Sequence, residues 1–517
     1  MKYFFIIFLS FCSCFLDNGS SKAAEKINLK FEEMKIPLNI SQLSQLETYE
    51  DNSTEVISWL KKNGFSRVVE LSKFLKFPVF KEEGLNRQVL RSWVGRKILS
   101  ELSKTIIVAN DKDGIEVFNT IESLLENKKQ VSTLDIIKAL PSKEVLIDVD
   151  NLISIVSSWK NELAMQQNLI IKLNNLEKTI PKESNKNKTK IDEDLIKVNK
   201  KIYSSHRVGP LEIELWKNKK ESPNKELIIF MPGLAGDINN FKWIGTELAQ
   251  RGWPIVFLDH LGTNSDAFTE VIEGKEAIPG SADFFLYRIK DLDAVLEANR
   301  NGRFGLVNDS YILMGHSLGA LIALLYEGNK PIDGLENRCD LSLRDFAVTN
   351  LSKLIQCQLS EIPFQEKSNP KKANAIIGFN TFGSLIWPKE KSSGIDVPVL
   401  FIGGTFDLIT PLINEQFNVF LSTNNSSNRF LIIEGASHFS PIRIDNDNSE
   451  YKDIFKIRKP FIGSNPISVQ DLSLKIAVEF INKVNKEKSL ETITNQRELN
   501  LDYHILDRKT IKEISKN

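Results

Sequence analysis

The chain has 517 residues, 41% of them hydrophobic, enough for a full core and for two domains. Its 67 basic residues balance 67 acidic ones, so no basic field is offered to nucleic acid. The five histidines and four cysteines show no clustered ligand spacing, so neither a metal nor another cofactor is expected.

Lys2 precedes an almost wholly apolar run, Tyr3 to Leu16, and a short polar stretch then leads to Ala23. This is the pattern of a secretory signal over residues 1–23. The run is too short to span a bilayer comfortably. Lipid attachment at Cys14 is the alternative, favoured by Ser13 and disfavoured by Phe11. The expected destination is a periplasm, a thylakoid lumen or the extracellular space. Only Cys339 and Cys357 then remain, and in an exported protein a bridge between them is worth ~3 kcal/mol. Two buried thiols are the other reading.

Residues 24–176 read as a mostly helical domain. Ile27, Leu29 and Phe31, then Ile36, Leu38 and Ile40, alternate like a small hairpin, which the strand-like Glu144–Val149 can join. Helical stripes follow at Val56, Trp59 and Leu60, at Leu90, Val94, Ile98 and Leu102, and at Ile115, Phe118, Ile121 and Leu125. A longer helix runs on from Asp150. The region holds no histidine and no cysteine, and its aromatic stripes read as core. Residues 177–192, rich in lysine and without apolar period, read as a linker. The part beyond it is expected to carry the chemistry without the leading domain.

From 193 to 482 short apolar strands alternate with helices. Strands are predicted at Leu211–Trp216, Leu227–Met231, Pro254–Asp259, Ser310–Met314, Ala375–Phe379, Val399–Gly403 and Phe430–Ile433. Such alternation implies a mainly parallel sheet with helices on both faces, an α/β fold. Residues 329–370 fit no strand and hold both cysteines, which marks an insertion or lid. A helix at Leu472–Phe480 follows, and 483–517 read as a polar tail.

The run Tyr311 to Met314 ends at Gly315-His316-Ser317-Leu318-Gly319, and a helical pattern begins at once. A strand, a sharp turn and a helix push the serine hydroxyl out of the sheet, as in a nucleophile elbow. Such a serine needs a base and a carboxylate to orient it. His438 follows the last strong strand and is the expected base. His206 and His504 are expected at the surface, His316 in packing, and His260 beside a substrate pocket. Asp407 directly follows a buried strand, and Ser317, Asp407, His438 is the chain order of this architecture. Asp259 and Asp396 compete with it. The N–H groups of Leu318 and of Leu234, in the glycine-rich turn after Met231, are the expected oxyanion donors.

With these residues in place, 196–482 resemble an α/β-hydrolase of the platelet-activating-factor acetylhydrolase and dienelactone-hydrolase-like group. The matching pieces are Pro232-Gly233-Leu234, Asp259-His260-Leu261-Gly262, Gly315 to Gly319 and Ser437-His438-Phe439. Residues 25–176 resemble the helical domain of unknown function fused ahead of such hydrolases in cyanobacterial-type proteins. The acetylhydrolases usually carry His-Gly-Leu where this chain has Pro232-Gly233-Leu234, and dienelactone hydrolases use a cysteine where it has Ser317. The resemblance implies a serine carboxylic-ester hydrolase acting on lipid-like or short acyl esters. An amidase or thioesterase with the same triad, or an idle fold used for binding, are the alternatives.

Overall fold

The computed structural model describes residues 26–31, 34–39, 78–81, 103–109, 111, 115–128, 130–179, 195–219, 225–234, 236–260, 283–328, 330–344, 350–361, 370–443 and 464–515. The leader, Cys14 and the helical stripes at 56–60 and 90–102 lie outside them, as does most of the lysine-rich segment. The chain divides into two compact units, Met1–Ser154 and Ile155–Asn517.

In the first unit, β1 (Lys26–Phe31) and β2 (Met34–Asn39) form the expected antiparallel hairpin. After β3 (Pro78–Lys81) and β4 (Ile106–Val108) come helix α1 (Ile115–Asn127), β5 (Gln130–Ser132), α2 (Thr133–Ala139) and β6 (Glu144–Asp148). The strand expected near Glu144 does join the hairpin: β6 pairs with β1 in parallel and with β4 antiparallel, in the order β2-β1-β6-β4. Alternation decides which side chains go inside, and Ile27, Leu29, Val145 and Ile147 are buried. Ser132 and Asp135 close a capping box on α2, satisfying the orphan amides of its first turn. The described part of this unit is therefore as much sheet as helix.

Helix α3 (Val149–Asn174) crosses the unit boundary. Its residues beyond Ser154 belong with the larger unit, where Leu169 and Leu173 are buried. Lys172 Nζ donates to the carbonyl of Ile514 at 3.0 Å, and the hydroxyls of Thr179 and Thr494 lie 2.7 Å apart. The lysine-rich segment is thus not where the compact units meet.

The larger unit is built on a ten-stranded sheet in the order β15-β16-β14-β13-β12-β11-β9-β10-β8-β7. In chain order these are β7 (Leu195–Ile202), β8 (Leu211–Asn218), β9 (Leu227–Met231), α4 (Lys242–Gln250), β10 (Ile255–Leu258), α5 (Asp283–Arg300), β11 (Tyr311–His316) and α6 (Leu318–Glu327). Then come α7 (Leu335–Arg344), α8 (Ser352–Gln358), β12 (Ala375–Phe379), β13 (Val399–Gly404), α9 (Phe417–Ser422), β14 (Arg429–Ile433), α10 (Pro466–Val484), β15 (Ile493–Glu498), β16 (Leu501–Leu506) and α11 (Arg508–Ile514). Strands β9 to β14 run parallel to one another, and every residue in them is buried. That is why they read as unbroken apolar runs.

The rims differ. β7 and β8 are antiparallel, and β7, the last strand of the sheet among the described residues, carries Lys197, Lys200 and Lys201, a common protection against edge-to-edge pairing. Residues 483–517 are not a tail: β16 pairs antiparallel with β14, and β15 with β16. Their polar sequence IleThrAsnGlnArgGlu suits a rim strand that is only half covered.

After β9 the chain moves to β10 on one side, then returns to β11 on the other. The strand ends of β9 and β11 thus flank a topological switch point, where open α/β sheets form their binding crevice. A fragment beginning at Ile155 should keep the native midpoint of the larger unit. One beginning at residue 193 should lose roughly 4 kcal/mol, from Leu169 and Leu173 at ~2 kcal/mol each. Equal urea midpoints for the two fragments would contradict this.

Candidate active site

Ser317 stands between β11 and α6 with φ 52° and ψ −116°, a backbone region that residues with side chains rarely enter. The elbow tolerates nothing larger than glycine beside it. A Cβ on Gly315 would lie 2.4 Å from the Gly319 backbone, and one on Gly319 would lie 1.9 Å from the Met231 carbonyl. The Ser317 N–H donates to Phe379 O at 2.9 Å, tying the elbow to the end of β12.

Three strand ends bring one polar chain together. His438 Nε2 lies 3.1 Å from Ser317 Oγ, and His438 Nδ1 lies 3.1 and 3.2 Å from the two oxygens of Asp407. With Nδ1–H donating to the carboxylate, the Nε2 lone pair is left to accept the serine proton. Asp407 is wholly buried and takes further hydrogen bonds from Asn380 Nδ2 at 2.7 Å, Thr410 Oγ1 at 2.6 Å, Thr410 N at 2.8 Å, Ile409 N at 3.0 Å and Gln416 Nε2 at 3.1 Å. Burial pushes its carboxyl upward, but the nearby His438 and the donors from His438 and Thr410 outweigh that and hold it below the ordinary value. Asp396 instead pairs with Lys372 at the surface, and Asp259 lies near the buried Arg288.

The neighbours of Asp407 were not legible as motifs. Asn380 follows β12 in a left-handed conformation (φ 51°), and Gln416 ends a π-helical turn, Leu412–Gln416. From α3, Gln166 Nε2 reaches the Asp407 carbonyl at 3.4 Å, and Glu162 accepts from Asn414 at 2.8 Å. Of these, only Asn380, directly after β12, stands where strand-end position alone points to a role.

The Leu318 N–H opens the first turn of α6, where amides lack partners within the helix. The turn after β9 runs against the nucleophile: a Cβ on Gly233 would lie 3.3 Å from Ser317 Cβ and 3.1 Å from His316 Nδ1. Leu234 follows in that turn with a 40% exposed side chain. His316 does more than pack. Its Nε2 donates to the His438 carbonyl at 2.9 Å, and burial, with the charge of His438, pushes its pKa down to about 3.

Two histidine expectations need correction, and a third residue is more enclosed than expected. His260, expected beside a substrate pocket, is buried, with Nδ1 2.9 Å from Asp291. His206 is not a surface residue: its Nε2 lies 2.8 Å from the same carboxylate, which Arg207 also grips through two contacts of 2.5 Å. Burial, with the charge of Arg288, lowers His260 to about 4. His504 lies inside β16, 1% exposed, where Nδ1 accepts from Asn495 N and Nε2 faces Glu434. In each case a distant element supplies the cover, so local sequence carried no sign of it.

Cys339 and Cys357 are bonded to each other, joining α7 to α8 within the insertion. The buried Glu415 carboxylate receives Asn350, Gln356 and Ser384 side chains and the N–H of Gly383, which fastens the insertion to the loops after β12 and β13. Among the described residues no group of three or more His, Cys, Asp or Glu is placed to hold a metal ion, and no helix is long and apolar enough to cross a membrane.

Two outcomes follow. Gly319→Ala should cost several kcal/mol, or abolish soluble folding, because the elbow has to open against a carbonyl; a midpoint within ~1 kcal/mol of the parent would contradict this. His316 and His260 are neutral when folded at pH values where the unfolded chain binds protons. Their contribution is present above ~6.5 and is lost as pH falls from there towards about 4 for His260 and about 3 for His316. Unfolding of the larger unit should therefore take up about two protons between pH 6 and 4.5, or roughly 2.7 kcal/mol per pH unit. Calorimetry showing no such uptake would refute it.

Comparison with known families gives two matches. Residues 23–148 match an alpha/beta hydrolase of unknown function, DUF1400. Residues 222–335, from the strand β9 region through the elbow into the insertion, match the serine aminopeptidase S33 family. No curated protein sequence matches the chain. The S33 match spans both the turn after β9 and the elbow, the two strand ends of the switch point. With a mostly parallel sheet covered by helices and a serine elbow, the larger unit has the α/β-hydrolase fold.

Proposed function

We propose that the protein is a serine ester hydrolase that works through an acyl-enzyme. The observation that supports this reading most is the unbroken chain from Ser317 Oγ through His438 to a buried, fully bonded Asp407. In this mechanism Ser317 Oγ attacks the ester carbonyl as His438 Nε2 takes its proton. Asp407 keeps His438 in the tautomer that can do so and stabilises the imidazolium. The oxyanion is held by the N–H groups of Leu318 and Leu234, and the dipole of α6 adds to the first. His438 then protonates the departing alcohol, and a water activated by the same histidine releases the acid.

Lipid-like or short acyl esters, of the kind implied by the likeness to platelet-activating-factor acetylhydrolases, are the proposed substrates. A cleft of about 230 Å³ lies between α5, α6 and the insertion; Phe285, Ile289, Leu325, Ile332, Leu335 and Leu359 are among its lining, and the triad is not. Selection of the acyl chain is assigned to the insertion, as in lids. Export is part of the same proposal, supported by the apolar leader and the paired cysteines.

The serine aminopeptidase match favours a second reading, cleavage of an aminoacyl amide with the same triad. Turnover of a p-nitrophenyl ester series, measured beside aminoacyl p-nitroanilides, separates the two. The expected result is ester turnover that depends on chain length and falls at least ~10³-fold in Ser317→Ala, with the fold intact. Anilide turnover alone would favour the aminopeptidase reading. Parent-level ester turnover in the alanine variant would remove the triad.

A further inference from the structure

Helix α5 carries a guanidinium that the triad does not use. Arg288 is 1% exposed, and its Nη1 and Nη2 donate to the consecutive carbonyls of Pro232 and Gly233 at 2.7 and 3.1 Å. The Gly233 carbonyl and the Leu234 N–H belong to one planar trans peptide, so they point in opposite directions. Whatever fixes the carbonyl fixes the N–H. The turn cannot retreat either, because Gly233 already lies against His316 and Ser317.

We propose that Arg288 is a positioning residue that clamps the turn after β9 from behind, aiming the Leu234 N–H at the oxyanion. The inference rests on the ester-hydrolase reading above and assigns that site a further part. Two effects work in the same direction. The two-pronged contact holds both peptide planes, because a guanidinium presents its donors in a fixed fork. A cationic donor on the carbonyl also polarises the peptide, which strengthens the N–H on its far side.

The clamp is itself anchored. Asp291, one turn along α5, is wholly buried and held by Arg207, His206 and His260, so the helix cannot slide relative to the β7–β8 connection. Asp291 keeps these three partners when Arg288 is replaced, so the substitution leaves that carboxylate paired. Burial lowers the Arg288 pKa only to about 9, and the clamp stays charged at neutral pH.

The test uses the full-length protein, a p-nitrophenyl ester, and an alkyl trifluoromethyl ketone whose adduct mimics the tetrahedral intermediate. Arg288→Met should lower kcat ~10²-fold, the scale of losing one oxyanion donor, with KM within about threefold. Affinity for the ketone should fall by the same factor as kcat. Arg288→Lys keeps the charge but not the fork, and should fall between the parent and Met. Leu292→Ala, a buried change on the same helix outside the site, serves as the stability control; it should lower the melting temperature while kcat stays near the parent value.

Folded Arg288 variants with kcat within threefold of the parent would overturn the clamp. So would a loss of kcat that leaves ketone affinity unchanged. Recovery of both variants only as unfolded chain would make Arg288 a stability residue and likewise reject the proposal. A parent protein that turns over no ester refutes the functional reading itself, and the clamp's role in turnover with it. Ester turnover by the parent beside an unchanged Arg288→Met refutes the clamp alone.

Discussion

The larger unit depends on one close approach, the backbone of α6 at Gly319 against the carbonyl of Met231 at the end of β9. No side chain fits between them. The approach forces the elbow to turn within one residue, which puts Ser317 at φ 52°. Such strain persists only where the surroundings over-determine it. Here they do: α6 is buried along all ten of its residues, and β11 is flanked by β9 and β12. The same contact brings the turn after β9 beside the serine, so nucleophile and oxyanion turn share a single steric cause.

Around that contact the protein accepts costly burial of charge at two places. Asp407 and Asp291 are both wholly enclosed, and a lone carboxylate in such a place costs several kcal/mol. Each is surrounded by donors that satisfy it, and both clusters are assembled from elements far apart in sequence. Asp407 draws on the residue after β12 and on the loop after β13, with Gln166 of α3 on its main-chain carbonyl, whereas Asp291 draws on the residues after β7 and β10. Neither cluster is an efficient source of stability compared with apolar packing. What they supply is direction: a carboxylate held at four or more points cannot rotate away from its partner.

The central sheet was readable because strands buried on both faces leave continuous apolar runs, and the elbow because its glycines have a steric reason. Ser317, Asp407 and His438 each follow such a strand, so strand-end logic brought them onto one short list. Less regular features escaped. β7 reads LeuIleLysValAsnLysLysIle and β15 is almost wholly polar, because rim strands are only half buried and carry charge against unwanted pairing. His206 and His504 looked superficial because the elements that cover them lie 85 and 70 residues away in sequence. The second half of α3 was grouped with the leading domain for a similar reason. Its partners, Asp407, Asn414 and Ile514, carry no local mark of that contact.

The antiparallel pair β15–β16 has a consequence for how the chain is made. A ribosome delivers strands in sequence order, but β14 acquires its outer neighbour only when residues 501–506 arrive. Until then the nascent sheet presents an unpaired edge, Arg429 to Ile433, apolar in all but its first residue, after the nucleophile, acid and base have all been synthesised. Such an edge is a template for pairing with other chains. Synthesis of this protein thus passes through a stage with every reactive group in hand and a sticky sheet edge still open. A holding chaperone has its longest opportunity at that stage.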